Sequence, residues 1–159
     1  MTVDLSQMVV AVQHRFAAPV QALWDLLSDL PAMAAFSDEV AVVTWTGPRT
    51  FSATNRLAGR EWTVDGHVVQ ADPPRLLRWT VLDPDCPSST WEVALEPDGP
   101  SATVVTQRFA HRPGPSGVRY AVEADPSRLE EIVSGRTAML RQAVRASLDR
   151  AARSLAGPA

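Results

Sequence analysis

Residues 76–96 read LLRWTVLDPDCPSSTWEVALE and set the fold class of the chain. Apolar and polar side chains alternate on both sides of a turn that contains Pro84 and Pro87. Successive side chains of a β-strand point to opposite faces of a sheet, so this alternation predicts two antiparallel strands with one dry face each. Trp79 and Trp91 are the largest residues on that dry face.

The same alternation extends outward from this stretch in both directions. Clusters of glycine, proline and aspartate separate the alternating segments, as turn residues do between strands. The predicted strands span residues 9–16, 40–45, 51–58, 61–71, 76–82, 90–96 and 102–109. Strands that are polar on one side only predict an antiparallel sheet that is covered on one face.

Helical periodicity appears in two parts of the chain. Pro19 suits the first turn of a short helix, Pro31 ends it, and a second short helix is predicted to reach Phe36. Near the C-terminus, a short helix over residues 116–123 precedes a long helix over residues 127–155, with apolar residues every three or four positions. We expect the long helix to cross the dry face of the sheet, and its predicted packing positions are Val133, Leu140, Val144 and Leu148. These elements make an α+β fold in one domain, residues 1–159.

The composition narrows the classes of function. The chain has 159 residues, 45% of them apolar, and a net charge of -3, which disfavours a nucleic-acid partner. No apolar run is long enough to cross a membrane, and residues 1–8 lack the layout of a signal peptide. The single cysteine, Cys86, agrees with a reducing compartment, so we expect a cytoplasmic protein.

Cofactor chemistry is also restricted by the residues present. All 15 basic residues are arginine, which excludes a lysine Schiff base and with it pyridoxal phosphate. His14, His67 and His111 share no metal-ligand spacing. His14 sits among apolar positions and is interpreted as a core histidine, and His67 follows the polar face and is expected to be exposed. His111 precedes the loop to the last helices, where a cavity mouth is one interpretation. We therefore expect no metal and no other cofactor.

Six short segments, in order along the chain, resemble a known superfamily. They are APVQALW (18–24), LSD (27–29), FSDEV (36–40), residues 51–56 with Trp62, Trp91 with LEP (95–97), and the loop 113–117. The chain resembles the START-like (SRPBCC) helix-grip superfamily, in its polyketide cyclase/dehydrase and lipid-transport branch. The resemblance implies a curved seven-stranded antiparallel sheet wrapped around a long C-terminal helix, with a cavity open at one end. Members of this superfamily carry lipids, sense hormones, cyclise polyketides or bind protein partners.

Asn55 is the most informative candidate for a ligand contact. It is the only asparagine of the chain, it lies mid-strand where asparagine is disfavoured, and alternation with Ala53 and Leu57 places it on the dry face. A buried amide without a partner costs about 1–3 kcal/mol. Two interpretations follow: Asn55 bonds to a neighbouring strand or a buried water, or it bonds to a ligand.

Six further residues are candidates for the same cavity, and each has a plainer interpretation. The predicted inner faces carry Trp62, Trp79 and Trp91, which form either a plain aromatic core or a pocket wall. Gln107 shares a face with Phe109 unless a bulge shifts the strand. On the long helix, Arg136 either reaches the cavity mouth or is solvated. Met139, one turn away, is either core or cavity lining.

The residues assign no catalytic group. No serine lies in a Gly-x-Ser-x-Gly elbow, no phosphate-binding glycine loop is present, and Asp38 and Glu39 near the predicted opening have the context of solvated carboxylates. The sequence therefore predicts a domain that binds a small hydrophobic or aromatic molecule in an internal cavity. Two alternatives stay open: a cofactor-free polyketide cyclase or dehydratase, and a protein-interaction module with a vestigial cavity. The sequence also leaves open whether the chain forms a homodimer.

Overall fold

The computed structural model describes residues 3–157, and the first two residues of the polar stretch 1–8 lie outside that range. Its strands are β1 (Val9–Phe16), β2 (Val40–Trp45), β3 (Thr50–Leu57), β4 (Arg60–Asp72), β5 (Leu76–Val81), β6 (Ser89–Pro97) and β7 (Thr103–His111). Its α-helices are α1 (Val20–Leu27), α2 (Leu30–Met33), α3 (Gly117–Ala124) and α4 (Leu129–Ala156). A 3₁₀ turn, Ala34–Phe36, extends α2, and a second one, Pro126–Arg128, precedes α4. The predicted strands and helices are confirmed, and most ends differ by one or two residues. The exception is Pro31, which does not end the first helix: α1 already ends at Leu27, and Pro31 lies in the first turn of α2, where its missing N–H is tolerated.

The seven strands form one antiparallel sheet in the order β1-β7-β6-β5-β4-β3-β2. Consecutive strands from β2 to β7 are therefore neighbours in the sheet. Strand β1 instead pairs with β7, which lies far from it in the sequence. Register shifts between Val40 and Val42 and between Val68 and Gln70 interrupt the ladders. Bulges of this kind increase the local bend and twist, which helps the sheet to curve around a helix.

The β3–β4 hairpin shows how local residues shape the concave face. Ala58 and Gly59 form its two-residue turn with positive φ angles of 51° and 77°, the turn geometry that matches the twist of the flanking strands. Farther along the hairpin, Phe51 lies opposite Gly66. A Cβ atom on Gly66 would lie 2.1 Å from the Phe51 ring, so the absence of a side chain there is what allows the ring to fold inward.

The long helix α4 covers part of the concave face and packs against β1. Leu140, Val144 and Leu148 are buried as predicted, together with Ala151, while Val133 is only partly buried. These residues join Val10, Val12 and Phe16 of β1 in a single apolar cluster. Among the described residues, no helix combines the length and the apolar character that a membrane span needs.

Two positions differ from their predicted environments. Met139 was expected to face inward, but it is 48% exposed. It precedes Leu140 by one residue, which is about 100° around the helix, so the burial of Leu140 turns Met139 towards solvent. His67 was expected to be exposed, yet it is half-buried and its Nδ1 atom is fully buried. It lies between Thr50 and Thr80 in the sheet register, and the neighbouring strands shield it.

The packing of α4 gives a direct test of the fold. Leu148 is fully buried, so Leu148→Ala should reduce the free energy of unfolding by about 2–5 kcal/mol through lost contacts and a cavity. Leu155→Ala is the matched control on the same helix. Because Leu155 is 37% exposed, this substitution should reduce the free energy of unfolding much less. Urea unfolding followed by circular dichroism measures both. Equal effects of the two substitutions would contradict this packing of α4.

Candidate ligand cavity

The concave face of the sheet encloses a cavity of about 900 Å³. Strands β2 to β7, α1, α2, the start of α3 and the inner side of α4 contribute to its lining, which is mostly apolar. The volume is in the range of known small-molecule sites. Trp62 and Tyr120 line the cavity yet are 38% and 62% exposed, so they lie where it opens to solvent.

Aromatic rings form one wall of the cavity. Trp79 and Trp91 are cross-strand neighbours whose rings stack at 6.2 Å with an interplanar angle of 6°. Phe109 meets Trp91 edge-on at 4.9 Å. Trp79 and Trp91 also pack against the buried core, so the two interpretations of these residues, core and cavity wall, both hold.

Two primary amides face the cavity without a protein partner. Asn55 on β3 and Gln107 on β7 both line it, and neither side chain is hydrogen-bonded within residues 3–157. The interpretation of Asn55 as a link between strands therefore has no contact to support it. Amide groups placed this way can donate to and accept from a bound molecule.

Arg136 lies at the cavity but is not free. Its guanidinium forms an ion pair with the Glu39 carboxylate, and the two side chains are 21% and 16% exposed. The Glu39 carboxylate was expected to be solvated; instead it neutralises Arg136 across the gap between α4 and the start of β2. Met139 is the one sequence-predicted site residue that the structure does not bring to the cavity.

His111 and Ser116 meet in the cavity lining, where β7 ends and α3 begins. The Nε2 atom of His111 lies 2.7 Å from the Ser116 hydroxyl, and His111 is 6% exposed. Burial lowers the pKa of the His111 imidazole below its ordinary value of 6.5, and the positive charge of Arg119 lowers this pKa further. The ring is therefore neutral at neutral pH.

Arg119 is itself buried and connects the backbone segments around His111 and Ser116. Its guanidinium donates to the backbone carbonyls of Val3, Arg112 and Gly114, at 2.6, 3.2 and 3.1 Å. The arginine thus ties the N-terminal segment to the loop before α3. Gly114 packs so closely on the β5–β6 loop that a Cβ atom there would lie 2.3 Å from the Cys86 carbonyl oxygen.

The sequence analysis named His111 and the family-like loop 113–117, which contains Ser116, but it did not predict that these two side chains meet. Ser116 has an N-cap signal, since it precedes a helix and accepts from the Arg119 backbone N–H at 3.0 Å. Nothing in the local sequence shows that the His111 imidazole will contact the Ser116 hydroxyl. Within residues 3–157, no three His, Cys, Asp or Glu side chains converge as metal ligands.

A curved antiparallel sheet closed by a long C-terminal helix over an internal cavity defines a helix-grip protein. A family model described as "Polyketide cyclase / dehydrase and lipid transport" matches residues 7–157. The chain belongs to this family, and the resemblance seen in the sequence is confirmed. No curated protein matches the sequence.

Solved structures support the same fold at low sequence identity. A Polyketide_cyc-like protein from Corynebacterium glutamicum is 23% identical, with a TM-score of 0.66 over 93% of this chain and 91% of that one. The di-domain ARO/CYC StfQ of the steffimycin biosynthetic pathway is 16% identical, with a TM-score of 0.67 over 94% of this chain and 51% of that one. A START superfamily protein from Mycobacterium smegmatis is 15% identical, with a TM-score of 0.57 over 83% and 98%. These likenesses show the fold alone.

The lowered pKa of His111 predicts a pH dependence of stability. Between the lowered pKa and 6.5, the unfolded chain binds more protons at His111 than the folded chain does. The contribution of His111 to the free energy of unfolding is therefore complete above about pH 6.5 and is lost as the pH falls. We expect the melting temperature to drop between pH 7 and pH 5, and the drop to be smaller in His111→Gln. Thermal unfolding of both proteins over this range is the measurement. Parallel curves would show that His111 does not contribute.

Proposed function

We propose that the protein binds a small, neutral, mostly hydrophobic or aromatic molecule in the cavity between sheet and α4. The observation that supports this proposal best is the pair of amides, Asn55 and Gln107, which face a mostly apolar space and have no hydrogen-bond partner within residues 3–157. Both amides can donate and accept hydrogen bonds, and a ligand with hydroxyl or carbonyl groups would pair with them. The apolar walls would supply affinity, and the amides would set the orientation.

The ion pair between Arg136 and Glu39 favours a neutral ligand, while the other charged lining residues, Arg60 and Glu61, lie exposed at the start of β4. Arg136 is compensated by Glu39, and a bound carboxylate would have to displace that partner. The stacked pair Trp79 and Trp91 lines the cavity, and aromatic side chains pack favourably against ring systems in offset or edge-to-face arrangements. A lipid-like or polyketide-like molecule with conjugated rings meets both conditions. On this view Trp62, at the opening, contacts the part of the ligand nearest to solvent.

A second candidate is a cofactor-free cyclase or dehydratase that uses the same cavity. It is favoured by the several polar side chains that face inward beside the apolar wall, since such groups could stabilise an enolate while the cavity holds a chain folded. A protein-interaction module with a vestigial cavity would have its interior filled by side chains. The open volume of about 900 Å³ argues against that alternative. We also propose a cytoplasmic location, which rests on the single cysteine.

Native mass spectrometry of the purified protein is the first test of the proposal. A retained molecule of small mass, lost on denaturation, is the expected result. A matched pair of probes then measures binding directly by quenching of tryptophan fluorescence: 2-acetylnaphthalene carries a carbonyl group, and 2-ethylnaphthalene does not. If neither probe binds and no molecule is retained, the proposed function is contradicted.

The role of Asn55 is tested with the same pair of probes. Asn55→Leu should keep the fold, because the replacement is apolar and of similar size, and it should weaken 2-acetylnaphthalene binding about 3- to 10-fold through the lost hydrogen bond. Binding of 2-ethylnaphthalene should change little. Thr54→Val is the matched control. Thr54 directly precedes Asn55 on β3, and its hydroxyl is hydrogen-bonded to that of Thr63 outside the cavity. If Asn55 instead stabilised the sheet, the melting temperature would fall and both probes would lose affinity alike.

A further inference from the structure

The Ser116 hydroxyl and the His111 imidazole have the geometry of a nucleophile and its base. Their 2.7 Å separation is a short hydrogen bond, and both residues line the cavity. A hydroxyl group becomes a useful nucleophile when a neutral imidazole in hydrogen-bond contact can accept its proton. Burial and the Arg119 charge keep the His111 ring in the neutral form that this role needs.

The Ser116 hydroxyl can donate its proton to His111 Nε2 when the neutral ring carries its own proton on Nδ1. The Ser116 oxygen accepts from the Arg119 backbone N–H at 3.0 Å, which leaves the hydroxyl proton free to be donated. The Nε2 atom of His111 is the acceptor within reach. The proton of the neutral ring then resides on the buried Nδ1; a backbone contact with Arg112 acts on the ring, and no side chain bonds to Nδ1 within residues 3–157. The pair is therefore a dyad without a third, orienting side chain.

The start of α3 supplies donors next to the same hydroxyl. This eight-residue helix begins at Gly117, directly after Ser116. The backbone N–H groups of Gly117 and Val118 have no hydrogen-bond partner in the part of the chain that the structure describes, and both residues line the cavity. Free N–H groups at a helix N-terminus stabilise negative charge, as an oxyanion requires.

We propose that this corner of the cavity hydrolyses esters, with Ser116 as nucleophile, His111 as general base and acid, and the Gly117 and Val118 N–H groups as oxyanion donors. The substrate class is an ester of a neutral hydrophobic or aromatic acid or alcohol. The inference rests on the proposed function, because the ester must enter the same apolar cavity. It adds to that function a reaction that ligand binding alone does not include.

The reaction balances with water as the only co-reactant. The Ser116 oxygen attacks the ester carbonyl while its proton passes to His111 Nε2, and the oxyanion forms near the α3 N–H groups. The bond to the alcohol oxygen then breaks, and that oxygen takes the proton from Nε2. A water molecule next gives a proton to Nε2 and attacks the acyl-enzyme. The acid is released as the proton returns to the Ser116 oxygen. The net reaction converts an ester and water into an acid and an alcohol.

Covalent labelling gives the most direct test. The full chain is incubated with diisopropyl fluorophosphate, and its intact mass is compared with that of an untreated sample. Trypsin cleavage after Arg108 and Arg119 releases residues 109–119, in which Ser116 is the only hydroxyl side chain. We expect one diisopropyl phosphoryl group on this peptide. In parallel, hydrolysis of 4-nitrophenyl butanoate is followed by release of nitrophenolate.

Variants separate the hydroxyl from the fold. Ser116→Asn removes the nucleophile but keeps an N-cap side chain for α3, so the melting temperature should hold while hydrolysis falls at least about 100-fold. His111→Gln should also reduce both labelling and hydrolysis. Ser134→Ala is the control, because Ser134 is an exposed serine of α4 away from the cavity and should leave both readouts unchanged.

The binding probes distinguish failure of this inference from failure of the proposed function. Binding of 2-acetylnaphthalene without labelling of Ser116, or with hydrolysis equal in Ser116→Asn and the wild-type chain, overturns the ester-hydrolysis proposal alone. Absence of binding, labelling and hydrolysis overturns both proposals. Labelling confined to Ser116 together with loss of hydrolysis in Ser116→Asn supports the inference.

Discussion

The geometric constraint behind this structure is the mismatch between a seven-stranded sheet and the single helix that covers it. Neighbouring strands lie roughly 4.8 Å apart, so the concave face is about 29 Å wide, while a helix with its side chains is about 10 Å across. Helix α4 therefore buries only part of the face, and it does so beside β1. The remaining face must be covered by the short helices or stay open, and the cavity is the part that stays open.

Curvature decides how that uncovered face is used. The bulges in β2 and β4 and the small residue Gly66 let the strands bend around the helix instead of lying flat. A flat sheet of this width would expose its tryptophans to solvent. A curved one brings Trp79 and Trp91 into a shared wall, where they both complete the core and border an empty space.

Most of the fold was predictable because it depends on periodicity, whereas the site depends on contacts between distant parts of the chain. Alternation found all seven strands and placed Asn55 and Gln107 on the inner face. Helical spacing was less reliable at Met139, since an apolar residue at the border of the buried stripe carries little information about which way it faces. The ion pair of Arg136 with Glu39 joins residues 97 positions apart, and no local pattern encodes it.

The close approach of Phe51 to Gly66 makes two positions of the chain depend on each other. Phe51 borders the cavity, and its ring occupies the space that any side chain at residue 66 would need. Within this family, a chain with alanine or a larger residue at the position of Gly66 has to carry a smaller residue opposite it, or shift the ring into the cavity. The two positions should therefore vary together among relatives. The volume left for a bound molecule is thus set partly by the absence of one side-chain carbon, the Cβ atom that Gly66 lacks, on the strand next to the ring.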